Sequence, residues 1–454
     1  MKKYLLALFV ILAVSGSIIK MEAQNLAAGR DAKISAIVNG ISSGNLEKYV
    51  RNMVGFKTRH TLSTRNDKEK GIGAACNYVK SEFEKNIPQA GGRLSVRLDT
   101  LILEPDGRRV TRKTVLTNVI AVLKGTDPED KRVFIVGGHL DSRNGEANDS
   151  VGTAPGANDD ASGVSAVIEL VRVMSPQKFP CTIVFVAFSG EEQGLNGSTF
   201  LAKKAREENW NVVAMLNNDM IGNSFSNETL LKDNLHVRVF SESIPASETD
   251  AAKVLRQSTN AENDSPSRQL ARYIKEVGEK YVDQIEVKLI YRNDRFLRGG
   301  DHTPFNRQGF TAVRFCEMNE NYDYQHQNVR DENGMKFGDL PEFVDFEYAR
   351  KIASINAAVL SSLALAPQQP VNTGIVVSGL GNSTTLKWKS PAGKSPQGYF
   401  ILMRETFQPM WEKKFFTEKN EITLPYSKDN YFFAVQSVDE EGHLSLPSWP
   451  APIR

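Results

Sequence analysis

VFIVGGHLDS, residues 133–142, is the stretch on which the fold of this chain turns. Four apolar residues, Val133 to Val136, run without interruption into Gly137 and Gly138, and then into His139 and Asp141. A short, unbroken apolar run closed by turn residues fits a strand buried on both faces. The same pattern returns in CTIVFVAFSGEEQGL, residues 181–195. Between the two, Ser162 to Met174 carries helical periodicity. Apolar strands alternating with helices predict an α/β domain built on a mostly parallel sheet.

Working outward, helical patterns cover Asp31 to Tyr49, Ile72 to Phe83, Pro266 to Tyr281 and Phe346 to Leu365. Strand patterns cover Leu94 to Leu103, Thr117 to Leu123, His236 to Phe240 and Glu286 to Tyr291. Residues 224–267 are otherwise polar and read as an elaborated surface loop. That loop and residues 318–340 would shape any substrate pocket.

Acidic residues and histidines gather where these strands end. His139 and Asp141 follow the first buried strand; PGANDDASG, residues 155–163, sets Asp159 and Asp160 just before a helix. SGEEQGL supplies Glu191 and Glu192, NNDM supplies Asp219, and GDHTPF supplies Asp301 and His302. Taken singly each is ordinary, an N-cap or a solvated turn. Jointly they place five potential ligands at five strand exits in a chain with only 6 histidines. In open α/β sheets, ligand crevices lie at the carboxyl ends of strands. Imidazole with carboxylate and no thiolate suits zinc, with cobalt or manganese as substitutes. The two glycines before His139 leave room for a ligand or metal near the backbone.

The ordered set GGHLDS, PGANDDASG, SGEEQGL, NNDM and GDHTPF resembles the co-catalytic zinc aminopeptidases of metallopeptidase family M28, over residues 30 to 365. The resemblance implies a zinc exopeptidase fold, a mixed, mainly parallel sheet flanked by helices. It implies two zinc ions per chain, bridged by Asp159, with Glu192 and His302 completing one site and His139 with Asp219 the other. Asp141 would hydrogen-bond His139 and fix its tautomer, and Asp160 and Asp301 would be supporting residues. Glu191 would be the general base for a water shared by the two ions, with peptide N-termini as substrate. His326, in NYDYQHQN, loosely matches a substrate-contacting histidine of some relatives. A related zinc carboxypeptidase or dipeptidase is an alternative, with Arg295 and Arg298 available for a substrate carboxylate; the twenty-residue step from His139 to Asp159 favours the aminopeptidase branch. A glutaminyl cyclase is disfavoured because His139 is present. A non-catalytic binding protein is a further alternative, against which the full ligand set argues.

The chain has 454 residues, and 56 basic against 54 acidic residues give a net charge of +2, no reason to expect a nucleic-acid partner. Lys2 and Lys3 precede an apolar run from Tyr4 to Val14, and Ala23 closes a segment of small residues. Residues 1–23 therefore read as a secretory signal peptide, with an exported product, periplasmic or secreted. Cys76, Cys181 and Cys316 are too few for a disulfide framework and read as core filler, with room for one bridge. The domain expectation is 24–366 for the zinc peptidase, 367–370 for a proline-bearing linker, and 371–454 for an all-β, immunoglobulin-like sandwich. This last part resembles a fibronectin type III module through Leu386, Trp388, GYFILMR and Tyr431, the counterpart of a corner tyrosine.

Overall fold

The computed structural model describes residues 29–454; the expected signal peptide lies outside them. The chain divides into two compact units. The larger comprises Ser35–Val254 and Ala261–Ala364. The smaller is chiefly Leu365–Arg454.

The larger unit is an α/β structure around one eight-stranded sheet. In chain order its elements are α1 (Ala32–Asn39), α2 (Ser43–Val54), α3 (Gly71–Glu84), β1 (Leu94–Leu103), β2 (Thr114–Leu123), β3 (Arg132–His139), α4 (Ala161–Met174) and β4 (Thr182–Phe188). They continue with α5 (Asn196–Glu207), β5 (Asn211–Asn218), β6 (His236–Ser241), α6 (Asp250–Thr259), α7 (Pro266–Tyr281), β7 (Glu286–Ile290), α8 (His302–Arg307), β8 (Ala312–Glu317), a small hairpin β9 (Arg330–Glu332) and β10 (Met335–Phe337), and α9 (Phe346–Leu365). The strand order is β1-β2-β4-β3-β5-β8-β6-β7. The four central strands β4, β3, β5 and β8 are parallel, while β1, β2 and β6 enter antiparallel pairs.

Two expectations change in detail. The single helix expected from Asp31 to Tyr49 is two, because Ser42 starts a new one by accepting the Asn45 amide at 3.3 Å. The surface loop expected over 224–267 holds α6, a helix with no buried residue.

The apolar runs lie where their patterning demands. Ile135, Val184, Val186, Phe188 and Met215 pack beneath Leu201, Ala202 and Ala205 of α5 and Phe305 of α8. Phe188 meets Phe305 edge-on at 6.1 Å. On the opposite face, α4 presses so closely that a Cβ on Gly138 would lie 2.9 Å from the backbone of Gly163. Asn356 of α9 exchanges hydrogen bonds with Asn218 of β5 at 2.9 and 3.1 Å. All three cysteines are buried and unpaired, as filler would be. Among the described residues no helix is long and apolar enough to cross a membrane.

The smaller unit is all β. Strands β11 (Val371–Val376), β12 (Thr384–Lys389), β15 (Glu421–Leu424) and β17 (Ala451–Ile453) form one sheet; β13 (Gly398–Glu405), β14 (Lys413–Thr417) and β16 (Tyr431–Val438) form another. Leu386, Trp388, Tyr399, Ile401, Phe433 and Val435 make its core. Tyr431 packs edge-on against Tyr426 at 5.6 Å.

Gly163→Ala tests the close approach of α4 to the sheet. The new Cβ would lie 2.4 Å from the Asn218 carbonyl oxygen and 2.5 Å from Asp160 Oδ1. The expected loss is about 1–3 kcal/mol of stability, read as a lower urea midpoint with an unchanged slope.

Candidate metal centre

Sheet register brings the candidate side chains to one edge. His139 pairs with Phe188, Gly137 with Asn217, and Asn218 with Phe315, so the carboxyl ends of β3, β4, β5 and β8 finish together. His139 ends β3, Glu191 and Glu192 follow β4, Asp219 follows β5, and His326 lies on the loop after β8. Asp159 comes from the turn before α4, and the Asp159–Asp160 peptide is cis.

Two groups of donor atoms result, sharing one carboxylate. Asp159 Oδ1 lies 3.0 Å from His139 Nε2, which is 3.8 Å from Asp219 Oδ1. Asp159 Oδ2 lies 2.9 Å from His326 Nε2, which is 2.7 Å from Glu192 Oε1. Each set of three atoms lies within 4.8 Å of one another, the reach of a single cation. His139 Nδ1 faces the Asp141 carbonyl oxygen at 2.9 Å. A carbonyl only accepts, so Nδ1 carries a proton and Nε2 is the ring nitrogen turned to the acids.

His302 is not part of either group, contrary to the sequence expectation. It opens α8, fully buried, and its Nε2 meets the Asn293 carbonyl at 2.8 Å. Asp294 stands 3.7 Å away, so the imidazole is locked onto the loop preceding its own helix. His326, expected at most to touch substrate, occupies the place given to His302. Its backbone takes a left-handed φ of 56°.

The supporting residues also differ from expectation. Asp141 uses its backbone carbonyl on His139, while its carboxylate, 3.9 Å from that ring, accepts the Glu191 and Glu192 amides at 3.2 and 3.0 Å. The glycines before His139 make room for protein atoms rather than for an ion: Gly137 for the Phe188 ring, and Gly138 for Asp160 and α4. Asp160 accepts the amides of His139 and Gly163 at 2.9 Å and of Met220 at 3.2 Å, tying β3, α4 and β5 together. Asp301 is buried, and burial raises its carboxyl to about 7.

Several positioning groups had no sequence signal. Asp339 accepts the Asn158 and Asp159 amides, both at 2.7 Å, and burial raises it to about 7. Arg59, fully buried, donates to the carbonyls of Leu140, Pro155 and Gly156, and so braces the Asp159 turn against the β3 exit. Arg314 of β8 pairs with Asp219 at 2.9 Å and Asp294 at 3.1 Å. Arg143 donates to Glu192 Oε2 at 2.9 Å and abuts His326 Nδ1 at 2.5 Å. Arg59, Arg314 and Asp339 come from segments outside the motifs, where an arginine or aspartate reads as surface, and Arg143 directly follows GGHLDS.

The electrostatics call for a cation. Burial alone would raise the Asp159 carboxyl, but His326 and His139 hold it well below the usual range. Glu191 is pushed well up by desolvation and by the nearby carboxylates of Asp219, Glu192 and Asp301. Crowded carboxylates need a positive partner, and two imidazoles with oxygen donors and no thiolate fit zinc.

A probable zinc metalloprotease of Pyrenophora tritici-repentis is 40% identical over 428 residues, covering 93% of this chain and 98% of the relative. The model of peptidase family M28 matches residues 118–334. The chain belongs to peptidase family M28. It is a hydrolase of the zinc metallopeptidase class. A probable zinc metalloprotease of Leptosphaeria maculans is also 40% identical, over 93% of this chain and 97% of its own length. At 93% coverage the M28 relatives must extend into Leu365–Arg454. Among solved structures, the LapA aminopeptidase of Legionella pneumophila shares the fold, with a TM-score of 0.52 and 20% identity over 74% of this chain and 76% of its own.

Arg314→Met tests the charge network of this M28 site. It leaves Asp219 and Asp294 buried without their partner, at an expected cost of about 3–5 kcal/mol. The cost depends on pH. Burial raises Asp294, but Arg314, His302 and Arg295 outweigh it and hold the carboxyl well below its usual range. Its folded pKa is thus lower than its unfolded one, about 3.9. The contribution is present in full above about pH 4 and is lost as pH falls further. Urea titrations at several pH values should show wild type and variant converging in acid.

Proposed function

We propose that the enzyme is an exported di-zinc aminopeptidase. The observation that carries the reading is the Asp159 carboxylate, with one oxygen facing His139 and the other facing His326. One ion would be held by His139, Asp219 and Asp159, the other by His326, Glu192 and Asp159. Ligation through His326 Nε2 places the ring proton on Nδ1, which leaves Arg143 with Glu192 as its partner. Bound zinc supplies Lewis acidity, acidifying water and polarising a carbonyl oxygen.

Glu191 projects into the cleft beside these ligands and is the general base. Its carboxylate takes a proton from the attacking water as the carbon–oxygen bond forms. It returns that proton to the amine nitrogen as the carbon–nitrogen bond breaks. Asp141, gripping the Glu191 and Glu192 amides, fixes the base relative to its neighbouring ligand.

Restriction to N-termini is supported by the resemblance of the five ordered motifs to the co-catalytic zinc aminopeptidases. The acidic wall of Asp159, Glu191, Glu192 and Asp219 also suits a substrate α-ammonium. Export is supported by the leader at residues 1–23. We assign the smaller unit as fibronectin type III-like, supported by its two packed sheets and by the pairing of Val435 with Ser448.

Metal analysis of the purified mature protein should give two zinc ions per chain. His326→Ala should retain about one, and His302→Ala both; the reverse pattern would restore the sequence-based assignment. Glu191→Ala should keep its zinc while kcat falls about 10²–10⁴-fold. Aminoacyl anilides should be cleaved and their N-acetylated counterparts spared, whereas cleavage of the blocked peptides would favour a carboxypeptidase or endopeptidase. Chelation should abolish turnover, and added zinc should restore it.

A further inference from the structure

The cleft that holds the metal ligands has a second wall made of guanidinium groups. Arg109, Arg143, Arg295 and Arg298 line the same cavity of about 320 Å³ as His139, Asp159 and Glu191. They arrive from three separate segments of chain, so no local pattern explains their meeting.

Their charges are unevenly matched. Arg143 is paired with Glu192 at 2.9 Å. Arg295 lies between Asp294 at 3.2 Å and Glu320 at 3.1 Å. Glu320 is shared, for it also meets Arg238 at 3.0 Å and Arg298 at 3.0 Å. Asp294 is shared in turn with Arg314. One buried carboxylate therefore faces three guanidinium groups, and the excess on this wall is positive. Arg298 gives only its Nη1 to Glu320 and is one-third exposed. Among the described residues Arg109 pairs with no carboxylate, and its side chain makes one hydrogen bond, to the Glu192 carbonyl at 3.2 Å. Cations on the acidic wall would cancel the charges that otherwise offset this one. Within a confined cleft such an excess attracts anions more strongly than on an open surface.

Resting on the aminopeptidase reading, we propose that Arg298 and Arg109 bind a substrate carboxylate, so that the enzyme prefers peptides carrying one close to the scissile bond. Guanidinium donors match a carboxylate in charge and in planar geometry. The carboxylate has two sources: an acidic N-terminal side chain, or the free C-terminus of a dipeptide. Either leaves the proton-transfer role of Glu191 unchanged.

The test uses zinc-loaded full-length mature protein and two matched substrate pairs. One pair is glutamyl and glutaminyl p-nitroanilide; the other is Leu-Gly and Leu-Gly amide. In wild type, the charged member of at least one pair should have the higher kcat/KM by about tenfold or more, through KM. The responding pair identifies the source. That preference should shrink as salt is raised, since screening weakens attraction between exposed charges. In Arg298→Gln, in Arg109→Gln and in the double variant the ratio should collapse towards one, with zinc content and thermal midpoint measured on the same samples. Two pairs each equal within about twofold in wild type would overturn the proposal, as would a preference that survives the double variant. Turnover of leucyl p-nitroanilide without any carboxylate preference sinks this inference alone. No turnover of any free-amine substrate, with N-acetylated peptides cleaved, sinks the aminopeptidase reading and this inference with it.

Discussion

The Asp159 carboxylate sits between two imidazoles, and much of the architecture serves to hold it there. Its oxygens face His139 at 3.0 Å and His326 at 2.9 Å. Neither its backbone nor its side chain is free to turn. Asp339 takes its amide at 2.7 Å, and Gln325 donates to Oδ2 at 2.9 Å. Asp160 caps α4 and pins the β3 exit, and buried Arg59 ties the carbonyls of Pro155 and Gly156 to that of Leu140. A carboxylate shared by two donor groups must present both oxygens at once, so a small rotation would separate the groups. Such precision comes from rigid elements and satisfied hydrogen bonds around the ligand.

Placing this many carboxylates in one buried region carries a cost that the surroundings offset. Arg314 neutralises Asp219 and Asp294, and Arg143 neutralises Glu192. Other acids receive backbone amides instead of charges, as Asp141 does from Glu191 and Glu192. Groups with neither, such as Asp301, are driven towards the neutral form by burial. The guanidinium wall extends the same network outward. What begins as structural pairing behind the ligands becomes, at the cleft surface, an excess of positive charge.

The histidine exchange between positions 302 and 326 shows how a local pattern can mislead. An Asp-His pair after a strand and before a helix looks like a ligand pair. Yet β7 is an outer strand of the sheet, and its following loop is fastened by His302 itself through Asn293 and Asp294. β8 lies beside β5, at the centre, and its exit loop delivers His326 to Glu192. Eight residues of irregular chain separate Glu317 from His326, so no periodicity marks the arrival.

The sequence by itself determined the buried strands β3 and β4, the helix between them, the two-part organisation of the pattern, and the segments that carry His139, Asp159, Glu191, Glu192 and Asp219. These are consequences of neighbours along the chain: apolar runs closed by glycine, and acids or histidines at their exits. Only the tertiary structure decided which histidine joins Glu192, which group of Asp141 faces His139, and that Arg59, Asp339 and the cleft arginines take part at all. Apart from the near neighbours His139–Asp141 and Asp294–Arg295, those contacts span from about twenty to nearly two hundred residues of sequence. They are set by sheet register, strand order and helix packing, which bring together groups that no local spacing relates.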